Sequence, residues 1–419
     1  MGKIQINYGH STLPYNYSDK TNIKVLYPNY HSALVNPQNK IKYLLEKDEH
    51  FRFSDNRTSY SRVAIAINDQ TRPVPNEILI PPLIKYLIKQ GFSNNNIQFF
   101  IATGTHSPIE RALYCEILPS DIIKYFQISS HDCDDHENLR FLGKTKLGTP
   151  VEINAEYLSA DIKIVIGNIE PHHYQGYSGG AKSAAIGLAS RETINENHKW
   201  LMDSRSFIGS YEKNPCRQDV EEIGDMIGIN AALNVVLNQD KKIFDVFWGH
   251  PRAVMAAGIP VSRKICQIFV DKKYDLVIAS PGGYPKDINL YQSQKAITHA
   301  SLITKENGVI ILLAECVQGF GNSHFEKYLD GKHSFSDVIN SFENSKFTIG
   351  PHKAYQLAQQ ASKNKLILVS GMSFKDVKKT MLISADSLDN ALLIARDYLP
   401  EDPDIAVMPF ATNTIPLVK

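Results

Sequence analysis

Val63-Ala64-Ile65-Ala66-Ile67, followed by Asn68-Asp69-Gln70-Thr71-Arg72-Pro73, decides the fold. Five consecutive apolar residues, three of them β-branched, make a strand buried on both faces rather than an alternating, half-exposed one. A polar turn from Asn68 to Pro75 ends it, and a helix carrying Leu83, Ile84, Tyr86, Leu87 and Ile88 follows. The unit recurs along the chain. Ile97 to Ala102 and Ile162 to Ile166 are further buried strands, and Asp275 to Ala279, Val309 to Ala314, Leu366 to Val369 and Ile405 to Met408 form a second set. Short apolar runs alternating with helical segments predict an α/β protein of two lobes, with mainly parallel sheets and an interlobe cleft.

The chain of 419 residues is long enough for two or three domains at roughly 150 residues each. With no Gly/Ser or Pro-rich linker to mark a border, the N-terminal lobe is expected over 1–268, ending in a helix from Ser262 to Ile268, and a smaller lobe over 273–403. The last stretch, 404–419, is expected to return to the first lobe, because a terminal strand is usually tied to a sheet. Lys and Arg number 45 against 44 Asp and Glu, a formal charge of +1, which argues against a polyanion binder such as a nucleic-acid protein and against an acidic tail. Five scattered cysteines without a CxxC pair point to reduced thiols, neither a disulfide framework nor a four-thiolate zinc site. The N-terminal residues have no signal-peptide pattern, and the longest apolar run, Val309 to Ala314, is far short of the roughly 20 residues of a membrane span. A cytoplasmic protein with no membrane partner is expected.

Ligands of open parallel sheets collect beyond the carboxyl ends of the strands, so the loops there carry the functional reading. Asn68 to Pro73 is the first, readable as a turn capped by Asp69. Thr103-Gly104-Thr105-His106-Ser107-Pro108 is the second and puts a histidine where the next helix begins. The third, Gly167 to Ser183, is the densest, with His172, His173, Tyr174, Gly176, Tyr177, Ser178, Gly179, Gly180 and Lys182, and after Ser190 comes a helix bearing His198. Its glycines suggest exposed N–H groups and an ammonium aimed at an anion, yet it is neither a GxxxxGK[ST] loop nor a GxGxxG fingerprint. The fourth, Ser280 to Asp287, leads into a helix on which Tyr291, Gln292 and Lys295 share one face. A phenol, an amide and an ammonium so placed can grip a carboxylate; a solvated helix face is the other reading. The cluster His131-Asp132-Cys133-Asp134-Asp135-His136 reads as a solvated loop rather than a metal site, because ligands so close in sequence lack the spread of a tetrahedral site.

Together, DQTRP (Asp69 to Pro73), GTHSP (Gly104 to Pro108), IEPHHYQGYSGGAK (Ile169 to Lys182), the pair Asn197-His198 and GGYPKDINLYQSQK (Gly282 to Lys295) resemble the nickel-dependent lactate racemase family, in that order and across both lobes. The resemblance implies a racemase or epimerase of a 2-hydroxy acid and a nickel-pincer nucleotide, a pyridinium mononucleotide with two sulfur-bearing arms, covalently held on Lys182. It implies His198 as the protein's nickel ligand, and His106 and His172 as the two acid/bases. Arg72, Gln292 and Lys295 would hold the substrate carboxylate, with Tyr291 beside them. Asp69, Thr71, Arg72, Tyr177 and Ser178 would meet the cofactor, and Tyr355 the substrate. Partners implied are the small 2-hydroxy acid and the enzymes that mature the cofactor; the oligomeric state stays open.

General chemistry agrees with those roles. The C–H of a 2-hydroxy acid is too weakly acidic for a side-chain base, so moving the hydrogen with its electron pair requires a cofactor as electron sink. Two enantiomers place the hydroxyl on two sides of a fixed acceptor, which calls for one base each. In one place the sequence departs from the family: where the lactate-specific pattern GxHxxW has tryptophan beside the substrate side chain, Gly350 to Tyr355 ends in Tyr355, a smaller ring with a hydroxyl. Two other readings stand beside this one. A zinc hydrolase could use His106, His172 and His198 as its ligands, and a catalytically silent homologue could bind the same ligand.

Overall fold

Alternating Val, Ile and Ala in Val63–Asn68 leave no polar edge for solvent, and the strand lies inside a six-stranded sheet, flanked by Ile97–Ala102 and Ile162–Asn168. The computed structural model describes residues 2–18, 21–48, 61–72, 74–348 and 350–419. Pro73 of the first loop lies outside them. Two compact units result, one of Tyr30–Ile265 and one of Met1–Asn29 with Cys266–Lys419.

In the unit Tyr30–Ile265 the sheet runs Ile243–Gly249, Ala231–Leu237, Ile162–Asn168, Val63–Asn68, Ile97–Ala102, Gln127–Ser130. All neighbours are parallel except the first pair, which is antiparallel. Strand order therefore reverses between Val63–Asn68 and Ile162–Asn168. At such a reversal the following loops diverge to opposite faces and open a crevice at the carboxyl ends. Helix Asn76–Lys89 covers one face with Leu79, Leu83 and Leu87. It starts well before the apolar run that announces it and continues through Pro81 and Pro82.

The other unit holds a second six-stranded sheet, parallel throughout, in the order Ile383–Ala385, Lys365–Val369, Thr304–Leu313, Tyr274–Ala279, Ile405–Met408, Ile23–Val25. Here the expected borders are corrected. Residues 404–419 do not return to the first lobe: Ile405–Met408, apolar on both faces, fills the place between Tyr274–Ala279 and Ile23–Val25. The N-terminal 29 residues join the same unit, giving that edge strand and the hairpin Gly2–Tyr8 with Ser11–Tyr17. The helix expected over Ser262 to Ile268 is the end of Pro251–Cys266, and Gln267–Val270 is a strand paired with Ile415–Val418. Among the described residues no helix is long and apolar enough to cross a membrane.

Candidate functional site

Val63–Asn68 and Ile97–Ala102 run in register to their ends, Asn68 opposite Ala102, so the two following loops start side by side. That brings Asp69 and His106 together, Nδ1 to Oδ2 2.6 Å. A carboxylate only accepts, so Nδ1–H donates and the Nε2 lone pair of the neutral ring is left for other chemistry. The Asp69 side chain is 5% exposed and that of His106 57%. Asp69 and Thr71, expected to meet the cofactor, share a tight turn: the Thr71 N–H and hydroxyl both donate to Asp69 Oδ1, at 3.1 and 2.6 Å. Burial by itself would raise the Asp69 carboxyl, but the bonds from His106 and Thr71 outweigh it and hold the group below its ordinary range.

The loop after Ile162–Asn168 folds back through the short pair Pro171–His172 and Gly176–Tyr177 into the helix Lys182–Ala185. Its glycines serve close packing. A Cβ on Gly176 would strike the Ser210 carbonyl, and one on Gly180 would meet Met255 and Arg217. Of the N–H groups there, that of Gly180 donates to Asn234 Oδ1 at 2.6 Å and that of Ser178 to the Glu170 carbonyl. The Ser178 hydroxyl bonds the carbonyls of Asn168 and Glu170, and Tyr177 is buried with its carbonyl on Arg217, so both shape the loop from within.

Lys182 emerges from this loop as a buried amine whose Nζ has no hydrogen-bond partner. Burial, then the charges of Arg72 and Arg217, hold it well below the ordinary lysine range. His172 is likewise pushed well below its usual value by burial, Lys182, Arg72, His173 and His198. Its Nδ1 accepts the Gln175 N–H at 3.3 Å, so its ring proton sits on Nε2. The Tyr174 ring stands edge-on to both His172 (4.8 Å) and His198 (5.2 Å).

His198 ends helix Arg191–His198 and is set by a buried chain of bonds. Asn197 Nδ2 donates to the Cys216 carbonyl and to Asp219 Oδ2, both at 2.9 Å, which fixes the amide so that its Oδ1 faces His198 Nδ1 at 3.0 Å. The ring therefore donates from Nδ1 and keeps a lone pair on Nε2, the form a metal ligand needs. Asp219 is held in turn by Thr145 and Thr149 at 2.5 and 2.8 Å. Asn197 stands in the motif already quoted, but Asp219, Thr145 and Thr149 escaped the sequence reading, as did Arg217, fully buried, which bonds Glu221 and the carbonyls of Tyr177 and Gly179, both at 2.9 Å. Arg217 and Glu221 sit four apart on a helix, a spacing that in sequence reads as an exposed ion pair.

In the other unit, helix Leu290–Ser301 is capped by Asn289, which accepts the Gln292 N–H. Tyr291, Gln292 and Lys295 are half-buried on it, as their spacing predicts. Burial pushes the Tyr291 phenol up to about 12, so it stays a donor. The Tyr291 ring meets His352 at 6.2 Å, and the Lys353 ammonium lies 5.6 Å from its centre. The Tyr355 ring stacks on Phe342 at 4.7 Å, and its hydroxyl donates to Glu343 at 3.1 Å and accepts from Gln359 at 2.7 Å. The polar handle read from the sequence is thus engaged inside the unit.

The ligand atoms of Asp132, Cys133 and Asp134 do lie within 4.8 Å of one another, but Asp134 is bonded twice by Arg191 at 2.7 Å and burial pushes the Cys133 thiol up to about 11. His131 is buried, not solvated, and bonds the Ala189 carbonyl. That trio is the single such group among the described residues; His106, His172 and His198 are not gathered as three ligands of one zinc would be.

Residues 8–209 match the lactate racemase N-terminal domain and residues 270–415 the lactate racemase C-terminal domain. The chain is 31% identical over 424 residues to the lactate racemase of Thermoanaerobacterium thermosaccharolyticum, covering 99% of both, and 31% identical over 286 residues to that of Lactiplantibacillus plantarum, covering 67% of both. The solved structure of the lactate racemase apoprotein from T. thermosaccharolyticum superposes with a TM-score of 0.88 at 28% identity, over 99% of this chain and 100% of that one. A Thermotoga maritima protein at 17% identity shares the fold, with a TM-score of 0.66 over 93% of this chain and all of its own.

Proposed function

The chain belongs to the lactate racemase family, a family of isomerases, and from that premise we propose that it interconverts the enantiomers of a short 2-hydroxy acid, lactate foremost, with a nickel-pincer nucleotide joined to Lys182. The observation that carries the reading is the Lys182 amine, buried with its Nζ lacking any hydrogen-bond partner and pressed by the charges of Arg72 and Arg217. A buried ammonium left unpaired costs free energy that a fold does not ordinarily sustain, whereas an amine kept neutral is a nucleophile and can become a covalent anchor. His198, with its Nδ1 set against the Asn197 side-chain oxygen, fits the imidazole ligand of a Ni(II) site whose other donors are soft.

When bound, the cofactor supplies a reversible acceptor for the electron pair of the substrate's C2–H bond, which no side chain provides. The rest is the work of this chain. His106 takes the proton of the substrate hydroxyl at Nε2, and Asp69 orients the ring and supports the charge it acquires. His172 serves the opposite enantiomer; its burial keeps it uncharged, and to take a proton its ring must give up the Gln175 N–H bond at Nδ1 or exchange tautomer. Arg72 carries a planar fork suited to a carboxylate, and on helix Leu290–Ser301 Gln292, Lys295 and Tyr291 are groups that can bind one. Asp69 is a positioning residue on this reading, and Tyr177, Ser178 and Arg217 hold the loop that presents Lys182.

Protein made in a host that produces the cofactor tests the proposal through intact mass, nickel content and racemisation of a panel of lactate, malate and 2-hydroxybutyrate. The expected result is an adduct of several hundred daltons mapped to Lys182, with racemisation of at least one acid. Unmodified lysine with zinc bound, or a loaded protein that racemises none of the panel, sinks it.

A further inference from the structure

Lys353, one residue past His352 in helix Pro351–Ala361, has no role in the reading above. It is 5% exposed, and its Nζ donates to Gln294 Oε1 at 3.1 Å. Gln294 is itself held by Gln360, at 3.1 Å, and Gln360 by Thr298, at 2.7 Å, so the acceptor is a fixed neutral amide. A second face of the ammonium lies over the Tyr291 ring. An ammonium carries three N–H groups, and these two partners bring no countercharge. Helix Leu290–Ser301 presents Tyr291, Lys295 and His299 around it, and His352 adjoins it on its own helix; Lys295 is a like charge.

Carboxylates on the helices packed against Pro351–Ala361 are committed elsewhere: Glu343 to Tyr355, Glu326 to Lys379, and Asp337 to Ser334 and the His333 N–H. Ser323–Leu329 also brings His324 against Gly350. The buried Lys353 nitrogen, held by a neutral amide and a neutral phenol ring with no anion among the described residues bonded to it, makes a place that an anion would complete.

We propose that Lys353 belongs to the substrate-carboxylate grip: with Tyr291 and Lys295 it forms the site for the carboxylate of a 2-hydroxy acid, and it takes up a proton when that anion binds. The inference rests on the racemase reading for the identity of the anion. Burial and Lys295 lower the free ammonium to about 7, so near neutral pH the free site holds a mixture of amine and ammonium. The bound carboxylate favours the ammonium. Below pH 7 the proton is already present. Above it, binding must draw one from solvent, and affinity falls up to about tenfold per pH unit.

The test is calorimetric titration of the holoenzyme with lactate at pH 8 in two buffers of different ionisation enthalpy, with KM and kcat measured from pH 6 to 9. Wild type is expected to take up close to one proton per site, and its KM to climb above pH 7. Arginine does not deprotonate here, so Lys353→Arg is expected to bind lactate without proton uptake and with a flat KM profile. Lys353→Met is expected to weaken binding by about tenfold or more at pH 7, the loss falling in KM rather than in kcat. Proton uptake persisting in Lys353→Arg, or unchanged lactate affinity in Lys353→Met, overturns the proposal. A holoenzyme that racemises lactate without net proton uptake refutes the role of Lys353 and leaves the racemase reading intact. One that binds lactate with proton uptake yet never racemises it does the reverse, and one that binds no lactate refutes both.

Discussion

Lys182 and Lys353 are both buried lysines, one in each unit, and the structure treats them oppositely. Lys353 keeps an amide acceptor and an aromatic face, whereas the Lys182 Nζ keeps nothing. The first arrangement tolerates an ammonium and can wait for an anion. The second tolerates only an amine, with the Arg72 and Arg217 charges added to burial. On the proposed reading the labour is divided: the unit Tyr30–Ile265 takes the covalent cofactor and moves protons, and the other holds charge.

The sharpest way to break that contrast is Lys182→Arg. A guanidinium stays protonated and is no nucleophile, so intact mass is expected to show no adduct and racemisation to fall to background. An adduct appearing at another lysine would remove the distinction between the two sites. Next in size is Asp69→Asn. The amide cannot stabilise the imidazolium of His106, so kcat is expected to fall about 10²–10³-fold while the adduct on Lys182 and the nickel content stay whole. A loss confined to KM would instead place Asp69 among the binding groups.

How much of this was legible in sequence follows from how local each signal is. Val63–Asn68, Ile97–Ala102 and Ile405–Met408 announce themselves as unbroken apolar runs, and the loops after the first two carry Asp69 and His106. Which sheet a strand joins is not local: Ile405–Met408 enters beside Ile23–Val25, nearly four hundred residues away in sequence, and no periodicity encodes that pairing. The same holds inside the site. The reactive side chains stand in recognisable motifs, but Asp69 reads as a turn residue until register sets His106 next to it. Arg217 reads as surface until Gly179 and Tyr177 are seen to rest on it. Lys353 lies in no loop at a strand end, and only its burial singles it out.

Acid probes the charge-holding unit. His299 and His352 are buried there, the first donating to the Thr414 carbonyl at 2.9 Å and the second accepting the Gly350 N–H at 3.1 Å. Burial lowers them to about 4 and about 3. Because their folded values lie below the unfolded 6.5, the unfolded chain binds more protons as pH falls from 6.5, and stability drops with it. Between pH 6.5 and 5 each is expected to cost about 2 kcal/mol. Urea titrations at the two pH values check this, and His352→Gln is expected to remove its share of the loss; an acid dependence identical to wild type would show that His352 charges in the fold at no cost.

The smallest effect tests the comparison most directly, because it needs no cofactor. In the apoprotein, Lys182→Met exchanges an amine without a hydrogen-bond partner for an apolar side chain of similar length, and removes the need to keep that amine neutral. Its folded value lies below the ordinary 10.5, so the unfolded chain binds the extra proton at every pH between the two. The penalty on wild type is therefore present at neutral pH and fades as pH rises through 10.5. Lys182→Met is expected to stabilise the apoprotein by about 1–2 kcal/mol at pH 7, and by less at pH 10. Lys353→Met, which sacrifices the Gln294 bond and the Tyr291 contact along with the charge, is expected to gain less. If both variants gain equally, the two lysines are buried at the same cost and the partners of Lys353 contribute nothing. If Lys182→Met destabilises, the amine has a partner in solution, and the case for Lys182 as a group left open for covalent completion falls with it.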